Sequence, residues 1–345
     1  GIKLSWDANP EGDIAGYKVY FSNHTGYSFS NSLDVGNVNQ INLNGLSLSD
    51  TIAVTAYDGD IDGTDDQTEG NESWFSYARS PSTIYVSTGG SDDNQGTINN
   101  EYATIQTAIN TAINGDTIHV AEGTYFENLI INKHIFLKGQ NSNNTVIDGG
   151  SAGSVIVLNQ SIIDQVKIES FRIQNGSGSA GMYSDSYITN QQLMGGGIVS
   201  ISNDIILNDM VFQNNSAEYG GGIFSHNSNM NISNVEFKNN EATNGQGGAI
   251  WSYVDDGLSK TISIDSATVS QNTSTHRGAG LTFVRGIIEL KNTQVTNNIT
   301  PESGGGLYVA QLIDGLVDNC IISGNSASQG GGMFSTGGFN GSNCI

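Results

Sequence analysis

The chain has 345 residues, of which 34 are Asp or Glu and 12 are Lys or Arg, so its formal net charge is −22. This charge argues against nucleic acid and anionic membrane surfaces as partners, because both are bound through basic patches. It suits a secreted protein in salty water or one that binds divalent cations, and no stretch of the sequence predicts a direct membrane span.

The first 80 residues predict a small all-β domain. Its marks are Trp6 on an early strand, residues 16–20 on a middle strand and residues 52–57 on a late strand. These segments resemble a bacterial fibronectin type III domain, which implies a sandwich of about seven short strands over residues 1–80. Because Gly1 opens almost directly on a strand, we expect the chain to be a processed or trimmed product.

An acidic stretch in this domain matches a calcium-loop pattern. Residues 58–69 satisfy D-x-D-x-D-G-x5-E in full. Ca²⁺ prefers a shell of six to eight oxygens, and we predict that the ligands are Asp58, Asp60, Asp62, Asp66 and Glu69. Strands flank the loop where an EF-hand has helices. The alternative is a solvated acidic hairpin loop that holds no ion.

Residues 84–150 predict the beginning of a second domain, which covers residues 81–345. Apolar residues recur at helical spacing within residues 102–113. We expect this helix to cap an open first coil, within a capping region at 84–116. The first coil strand is predicted at 117–120. Residues 84–150 are similar to the start of secreted bacterial β-helix proteins of the pectate-lyase-like superfamily.

A glycine-rich phrase then returns at a nearly fixed interval. The apolar residue that ends each phrase is expected to point inward, and the steps between these residues are 25, 27, 31, 26 and 26 positions. They are Ile198, Ile223, Ile250, Leu281, Leu307 and Met333. A propeller blade needs about 40–50 residues. The shorter period, with apolar and polar residues alternating as in strands, predicts one coil of a parallel β-helix per repeat.

Five asparagines share one position in successive repeats: Asn215, Asn240, Asn272, Asn298 and Asn325. Stacked coils would place them about 4.8 Å apart, so we predict a structural ladder of amide hydrogen bonds. Asn also tolerates the left-handed backbone of a tight turn, and the glycines fit sharp corners. From residue 195 onward, the phrase GG[GA][ILV] followed by F-x-N-N resembles the repeats of chlamydial polymorphic outer membrane proteins and of many right-handed parallel β-helix proteins.

This resemblance implies the complete fold class. The chain is expected to be all-β, with a fibronectin type III-like β-sandwich followed by a right-handed parallel β-helix that has an N-terminal capping helix. Coils are expected over residues 117–345. Because the sequence stops within a repeat, we expect the natural protein to continue beyond residue 345.

Two groups of residues are candidates for ligand binding. Strand alternation turns the residue after each inward apolar residue outward, which would expose a column of aromatics at Phe224, Trp251, Tyr308 and Phe334. Such a column can stack on sugar rings or contact a protein, unless it joins the core or lies under a loop. His276 and Arg277 form a close basic pair, expected on an expanded loop of the 31-residue repeat together with Asp255 and Asp256. The alternative for that loop is simple solvation.

The two cysteines, Cys320 and Cys344, occur in similar phrases and are expected on adjacent coils. Strand spacing lies within the Cα separation that a disulfide allows. They form either a bridge in an oxidising compartment or a pair of buried thiols.

Two functions follow as competing hypotheses. The first is a non-catalytic extracellular or bacterial cell-surface protein, an adhesin, scaffold or filament, that binds glycans or partner proteins. The second is a carbohydrate-active enzyme, either a polysaccharide lyase or a glycoside hydrolase, with an accessory module. That second hypothesis rests on fold analogy, and a fold does not imply a function. An uncapped final coil would also allow end-to-end self-association.

Overall fold

The computed structural model describes residues 2–6, 14–22, 31–44, 51–58, 76–78, 82–158, 165–184, 189, 191–337, 340–342 and 344. The chain divides into two compact units, Gly1–Pro81 and Ser82–Ile345. Among the described residues, no helix has the length and apolar character needed to cross a membrane.

The first unit is built from antiparallel strands. They are β1 (Ile2–Ser5), β2 (Ile14–Ser22), β3 (Asn31–Gly36), β4 (Gln40–Leu43), β5 (Thr51–Asp58) and β6 (Ser76–Ala78). β1 pairs with β4, and the second sheet has the order β3-β2-β5-β6. Side chains of both sheets, including Leu4, Val19, Leu43 and Val54, share one buried cluster. Ile52, Val54 and Ala56 of β5 belong to this cluster, and Ala53 and Thr55, which alternate with them, are buried as well.

The described residues of the second unit form one short helix and many short strands. The helix is α1 (Ile105–Thr111). The strands are β7 (Thr83–Val86), β8 (Thr117–Val120), β9 (Gly123–Phe126), β10 (Leu129–Ile131), β11 (Phe136–Gly139), β12 (Thr145–Asp148), β13 (Ile156–Leu158), β14 (Val166–Glu169), β15 (Arg172–Gln174), β16 (Ile198–Ile201), β17 (Ile205–Gln213), β18 (Ser216–Ala217), β19 (Ile223–His226), β20 (Met230–Lys238), β21 (Glu241–Ala242), β22 (Ile250–Tyr253), β23 (Thr261–Asp265), β24 (Thr268–Ser270), β25 (Thr273–Ser274), β26 (Leu281–Val284), β27 (Ile287–Lys291), β28 (Gln294–Thr296), β29 (Leu307–Ala310), β30 (Asp314–Asp318), β31 (Ile321–Ser323), β32 (Met333–Ser335) and β33 (Asn340–Ser342).

These strands stack in parallel, coil upon coil. One sheet, here called the anchor sheet, has the order β10-β13-β16-β19-β22-β26-β29-β32. A second sheet bends into two arms, and the long strands β17 and β20 belong to both arms. The chain passes from the anchor sheet through both arms and a glycine run to the next anchor strand. The prediction of a parallel β-helix is confirmed.

The register of the anchor sheet explains the sequence repeat. Ile198, Ile223 and Ile250 are successive partners across β16, β19 and β22. The same column continues through Leu281 and Leu307 to Met333. All but Met333, which is half-buried, are fully buried in the continuous apolar core of the coils. A repeat of about 25 residues thus returns the same side chain to the same interior place.

The helix is shorter than predicted, because polar contacts fix both of its ends. The Thr104 side chain accepts a hydrogen bond from the Thr107 amide, and the Glu127 carboxylate accepts from the amides of Ile105 and Gln106. Lys133 Nζ donates to three carbonyls at the other end, at 2.7–3.0 Å. α1 packs against β7, β8 and β10, next to the first coils.

Two adjacent residues in each repeat divide the two tasks that the sequence analysis assigned to one asparagine. The first has a left-handed backbone, as at Asn214 (φ 55) and Asn239 (φ 54), and it is Gln271 or Gly324 in two of the repeats. The second residue forms the ladder, in which Asn215 Nδ2 donates to Asn240 Oδ1 at 3.0 Å and Asn240 Nδ2 donates to Asn272 Oδ1 at 3.0 Å. The ladder runs on through Asn298 to Asn325. Its members are buried, except for the half-buried Asn325.

Candidate functional site

The outer face of the anchor sheet carries a column of six side chains, four of which are aromatic. We call it the ring column, and its members are register partners in the order Val199, Phe224, Trp251, Thr282, Tyr308 and Phe334. The rings of Phe224 and Trp251 stack with centroids 4.8 Å apart, and those of Tyr308 and Phe334 stack at 5.5 Å. Because parallel strands lie about 4.8 Å apart, identical register positions place flat rings at stacking distance.

Most of the ring column is covered. Phe224 is fully buried, and Trp251 and Tyr308 are only 5% and 7% exposed, whereas Phe334 is half-buried. Met194, with Met182, Tyr183 and Tyr219, packs over its first members. The prediction of an exposed aromatic row is therefore wrong for Phe224, Trp251 and Tyr308, and the alternative of rings lying under a loop describes Phe224 and Trp251. The alternation placed these rings outside the coil, but other segments then cover them.

A second column lies beside the first, and it includes His226 and Tyr253. The His226 ring lies 4.0 Å from the Tyr183 ring and 5.7 Å from the Tyr253 ring, measured between centroids. Its Nε2 lies 3.1 Å from Asp255 Oδ1, while its Nδ1 is buried with no hydrogen-bond partner. This column links the buried rings to charged residues at the end of β22.

Those charged residues line a cavity at the turns that follow β22, β26 and β29. We call it the turn cavity. It has a volume of about 210 Å³ and is lined by Asp255, Asp256, Gly257, Leu258, Arg285, Gln311 and Ile313. Tyr253 pairs with His226 and Ile262 pairs with Met230, so the extra residues of the 31-residue repeat lie between Tyr253 and Ile262. The insertion therefore forms one wall of the cavity.

Asp255 is held in place from several sides. Its Oδ2 accepts a hydrogen bond from Asn227 Nδ2 at 2.7 Å, and its amide donates to Asn227 Oδ1 at 2.8 Å. Burial by itself raises the pKa of Asp255, but the hydrogen bonds from Asn227 and His226 and the charges of His226 and Arg285 lower that pKa overall. Asp255 is therefore a carboxylate at neutral pH, and it has a fixed orientation.

Arg285 supplies the cation of the turn cavity. Its Nη1 donates to the Tyr253 hydroxyl at 2.7 Å, and its guanidinium carbon lies 5.6 Å from the centroid of the Tyr253 ring. Its backbone is left-handed, with φ 63, an uncommon conformation for so long a side chain. At the equivalent turn two coils earlier, Asn227 also has a left-handed backbone, with φ 53. Sequence reasoning did not identify Arg285 as a site residue. The feature that could have pointed to it is an arginine followed by glycine directly after an anchor strand.

The predicted basic pair lies elsewhere. His276 and Arg277 belong to the turn before a glycine run, so their placement on the expanded loop with Asp255 and Asp256 was wrong. Both are exposed. Arg277 Nη1 donates to the Tyr308 hydroxyl at 3.3 Å, and Arg277 Nε lies 3.4 Å from Glu302 Oε2. Arg277 thus borders the ring column, while Arg285 takes the place that the sequence analysis gave to Arg277.

The remaining predicted residues do not join this site. Of the calcium-loop candidates, only Asp58 lies within the described residues, as the last residue of β5; Asp60, Asp62, Asp66 and Glu69 lie outside them. Within the described part of the chain, no group of three or more His, Cys, Asp and Glu side chains could hold a metal ion. Both cysteines are free, so the structure has the thiol alternative; Cys320 is buried, but Cys344 is exposed.

Replacing Asp255 with asparagine tests the electrostatics of the site. The pKa of Asp255 is lower in the folded chain than the usual value of about 3.9, so its carboxylate stabilises the fold above that pH. This stabilisation is lost as the pH falls through the folded-state pKa. We expect Asp255→Asn to lower the melting temperature by about 2 °C at pH 7, because the side chain is 47% exposed and the gain is screened.

The difference between Asp255→Asn and the unmodified chain is expected to shrink as the pH falls from 7 into the acid range and through the folded-state pKa of Asp255. Asp256→Asn is the control, because it removes the same charge from an exposed neighbouring residue. Melting curves recorded by circular dichroism across this pH range provide the measurement. An equal loss in both variants at pH 7, or a loss that persists in acid, would contradict the assignment.

Comparison with known proteins gives one family match, over a small part of the chain. The Chlamydia polymorphic membrane protein (Chlamydia_PMP) repeat matches residues 209–226 and 234–253. No curated protein sequence matches the chain. Each matched stretch includes a ladder asparagine, a glycine run and the anchor strand that follows that run.

Several solved structures are similar to the chain at low identity. Pectin methylesterase PemA from Erwinia chrysanthemi is 12% identical over 73% of this chain and 80% of its own, with a TM-score of 0.37. XylC in complex with xylose is 12% identical over 75% of this chain and 70% of its own, with a TM-score of 0.39. The GH136 lacto-N-biosidase from Eubacterium ramulus is 11% identical over 76% of this chain and 67% of its own, with a TM-score of 0.34. At these TM-scores the likenesses carry no argument about the site.

Proposed function

We propose that this chain is a non-catalytic, extracellular β-helix displayed at a bacterial cell surface, where it acts as a scaffold or adhesin for glycans or partner proteins. The observation that carries the proposal is the repeat match, because the family it names is one of membrane proteins of Chlamydia. The matched residues run from the second half of β17 to β19 and from the second half of β20 to β22.

The physical design of the coils supports a scaffold. The eight strands of the anchor sheet, about 4.8 Å apart, span roughly 34 Å along the stacking direction. A buried asparagine ladder and an uninterrupted apolar interior run along this length. Each coil packs against its neighbours along the stack, and the outward residue at a given register position can differ from coil to coil. The turn cavity lies where one coil differs from the others by an insertion.

Surface display can be tested directly on cells of the source organism. Antibodies raised against the purified chain are expected to label intact cells as strongly as permeabilised cells. Brief protease treatment of intact cells should remove the label, and an antibody against a cytoplasmic protein is the control. Labelling that appears only after permeabilisation would contradict surface display.

The enzyme hypothesis is tested on the purified chain. We expect no release of unsaturated products or reducing ends from alginate, pectin or glycosaminoglycans above that of the heat-denatured chain. Turnover that is lost on Arg277→Ala or His276→Ala would favour a carbohydrate-active enzyme instead. Light scattering of the same preparation tests end-to-end self-association, which stays a prediction.

Finer features of the fold are also proposed. Two antiparallel sheets with a shared core support a fibronectin type III-like first unit. The packing of α1 against β7, β8 and β10 supports a helix that closes the first coil, and the coils are proposed to be right-handed, as in the proteins whose repeats they resemble. A crystal structure of the chain would decide these points.

Calcium binding by residues 58–69 is proposed from the ligand pattern. Calorimetry is expected to show one site for Ca²⁺, and the melting temperature should be higher with Ca²⁺ than with EDTA, since a ligand that binds only the folded state stabilises it. Asp62→Asn should remove both effects, and Asp93→Asn, an exposed aspartate of the second unit, should remove neither. No binding heat, with equal melting temperatures, would contradict the proposal.

A further inference from the structure

The turn cavity is assembled from three successive coils. The insertion after β22 contributes Asp255, Asp256 and Leu258; the turn after β26 contributes Arg285, and the turn after β29 contributes Gln311 and Ile313. The cavity therefore combines carboxylates, a guanidinium and an amide with two exposed aliphatic side chains. Leu258 is 43% exposed and Ile313 is 57% exposed, so both offer apolar surface to a ligand.

The charged floor of the cavity is fixed before any ligand arrives. Asn227 and His226 hold the Asp255 carboxylate, and the Tyr253 hydroxyl and ring hold the Arg285 guanidinium. Groups that are already ordered cost less conformational entropy when a ligand binds. Asp256 and Gln311 are exposed at the rim, where their carboxylate and amide can meet a ligand.

We propose that the turn cavity binds one neutral sugar ring. Its volume of about 210 Å³ is below the range of about 300–1,000 Å³ for pockets that hold drug-sized ligands, which suits a single ring. The Asp256 carboxylate accepts hydrogen bonds from sugar hydroxyls, and Arg285 and Gln311 donate to ring or hydroxyl oxygens. Leu258 and Ile313 pack against the C–H faces of the ring.

The charges of the cavity favour a neutral sugar over an acidic one. Asp255 and Asp256 face the single cation Arg285, and the Asp255 charge already lies close enough to Arg285 to be influenced by it. A sugar carboxylate would leave water for a site with an excess of negative charge, in a chain with a net charge of −22. A neutral ring has no such electrostatic cost.

The biological source of the sugar rests on the surface function proposed above, but the cavity is tested on the purified 345-residue chain alone. A sugar titration without binding would contradict the proposed cavity ligand but not surface display. A failure of surface labelling would contradict surface display but not the proposed cavity ligand. The probes are the methyl glycosides of galactose, glucose and N-acetylglucosamine, with glucuronic acid as the acidic comparison.

Saturation-transfer NMR is expected to show transfer to the ring protons of at least one neutral glycoside, with a roughly millimolar Kd. Asp256→Ala and Leu258→Ser, both at exposed positions, should each weaken this binding by about tenfold, equivalent to about 1.4 kcal/mol. Glu241→Ala is the matched control, since it removes an exposed carboxylate on β21, outside the cavity. Its Kd should equal that of the unmodified chain.

Three results would overturn the proposal. They are the absence of transfer to every neutral glycoside, equal binding by Asp256→Ala, Leu258→Ser and the unmodified chain, and tighter binding of glucuronic acid than of the neutral rings. Circular dichroism of each variant checks that the β-helix is folded at the titration temperature.

Discussion

Replacing Asn272 with alanine is expected to lower the free energy of unfolding of the β-helix by about 4 kcal/mol. Asn272 is fully buried in the middle of the asparagine ladder. Its Oδ1 accepts from both the amide and the Nδ2 of Asn240, and its own Nδ2 donates to Asn298 Oδ1 and to the Phe237 carbonyl. Alanine would remove all four of these bonds. The Asn298 oxygen would keep the Asn272 amide and Asn240 Nδ2 would keep the Phe212 carbonyl, but the Asn240 amide would lose this acceptor, and an unsatisfied buried group costs about 1–3 kcal/mol.

Chemical denaturation followed by circular dichroism measures this loss. The matched control is Asn231→Ala, because Asn231 is an exposed asparagine on β20. We expect the control to change the free energy of unfolding by less than about 0.5 kcal/mol. If Asn272→Ala and Asn231→Ala proved equally stable, the ladder would not be a stabilising element.

Replacing Gly220 with alanine is expected to destabilise the β-helix by about 3 kcal/mol, from two causes. Gly220 has φ 65, a left-handed conformation that costs an L-residue about 1–2 kcal/mol. An added Cβ would also lie 2.2 Å from the carbonyl oxygen of Ile223, a backbone atom that cannot move without shifting β19. The first residue of all six glycine runs has the same sign of φ.

Gly222→Ala provides the comparison within the same run. A Cβ at Gly222 would approach the carbonyl oxygen of Ala249 at 2.4 Å. The next coil nevertheless has alanine at the equivalent place, Ala249, so the stack can adjust to a methyl group there. We therefore expect Gly222→Ala to cost about 1 kcal/mol. A larger loss for Gly222→Ala than for Gly220→Ala would show that coil spacing, and not the left-handed corner, requires the glycines.

The interior of the β-helix could be predicted because it depends on local rules repeated many times. Period-2 alternation decides which side chains face inward, and the period of the glycine phrase decides which of them meet. Ile223 and Ile250 are register partners for this reason. The ladder position of Asn240 and Asn272 followed from the same arithmetic. The helix, by contrast, was predicted too long, because its ends depend on contacts with Glu127 and Lys133 from the coils.

The outside of the coils was decided by tertiary structure. Alternation correctly turned Trp251 outward, but it carried no information on the segment containing Met182 and Tyr183 that packs over the same cluster. The turn cavity likewise needs Asp255 and Arg285 from different coils, and neither has a neighbour in sequence that reveals the other. The sequence by itself therefore determined the coil, its register and its interior, since these repeat along the chain. Only the tertiary structure decided which outward residues are buried and which share a site, because irregular turns and insertions bring together residues that no period relates.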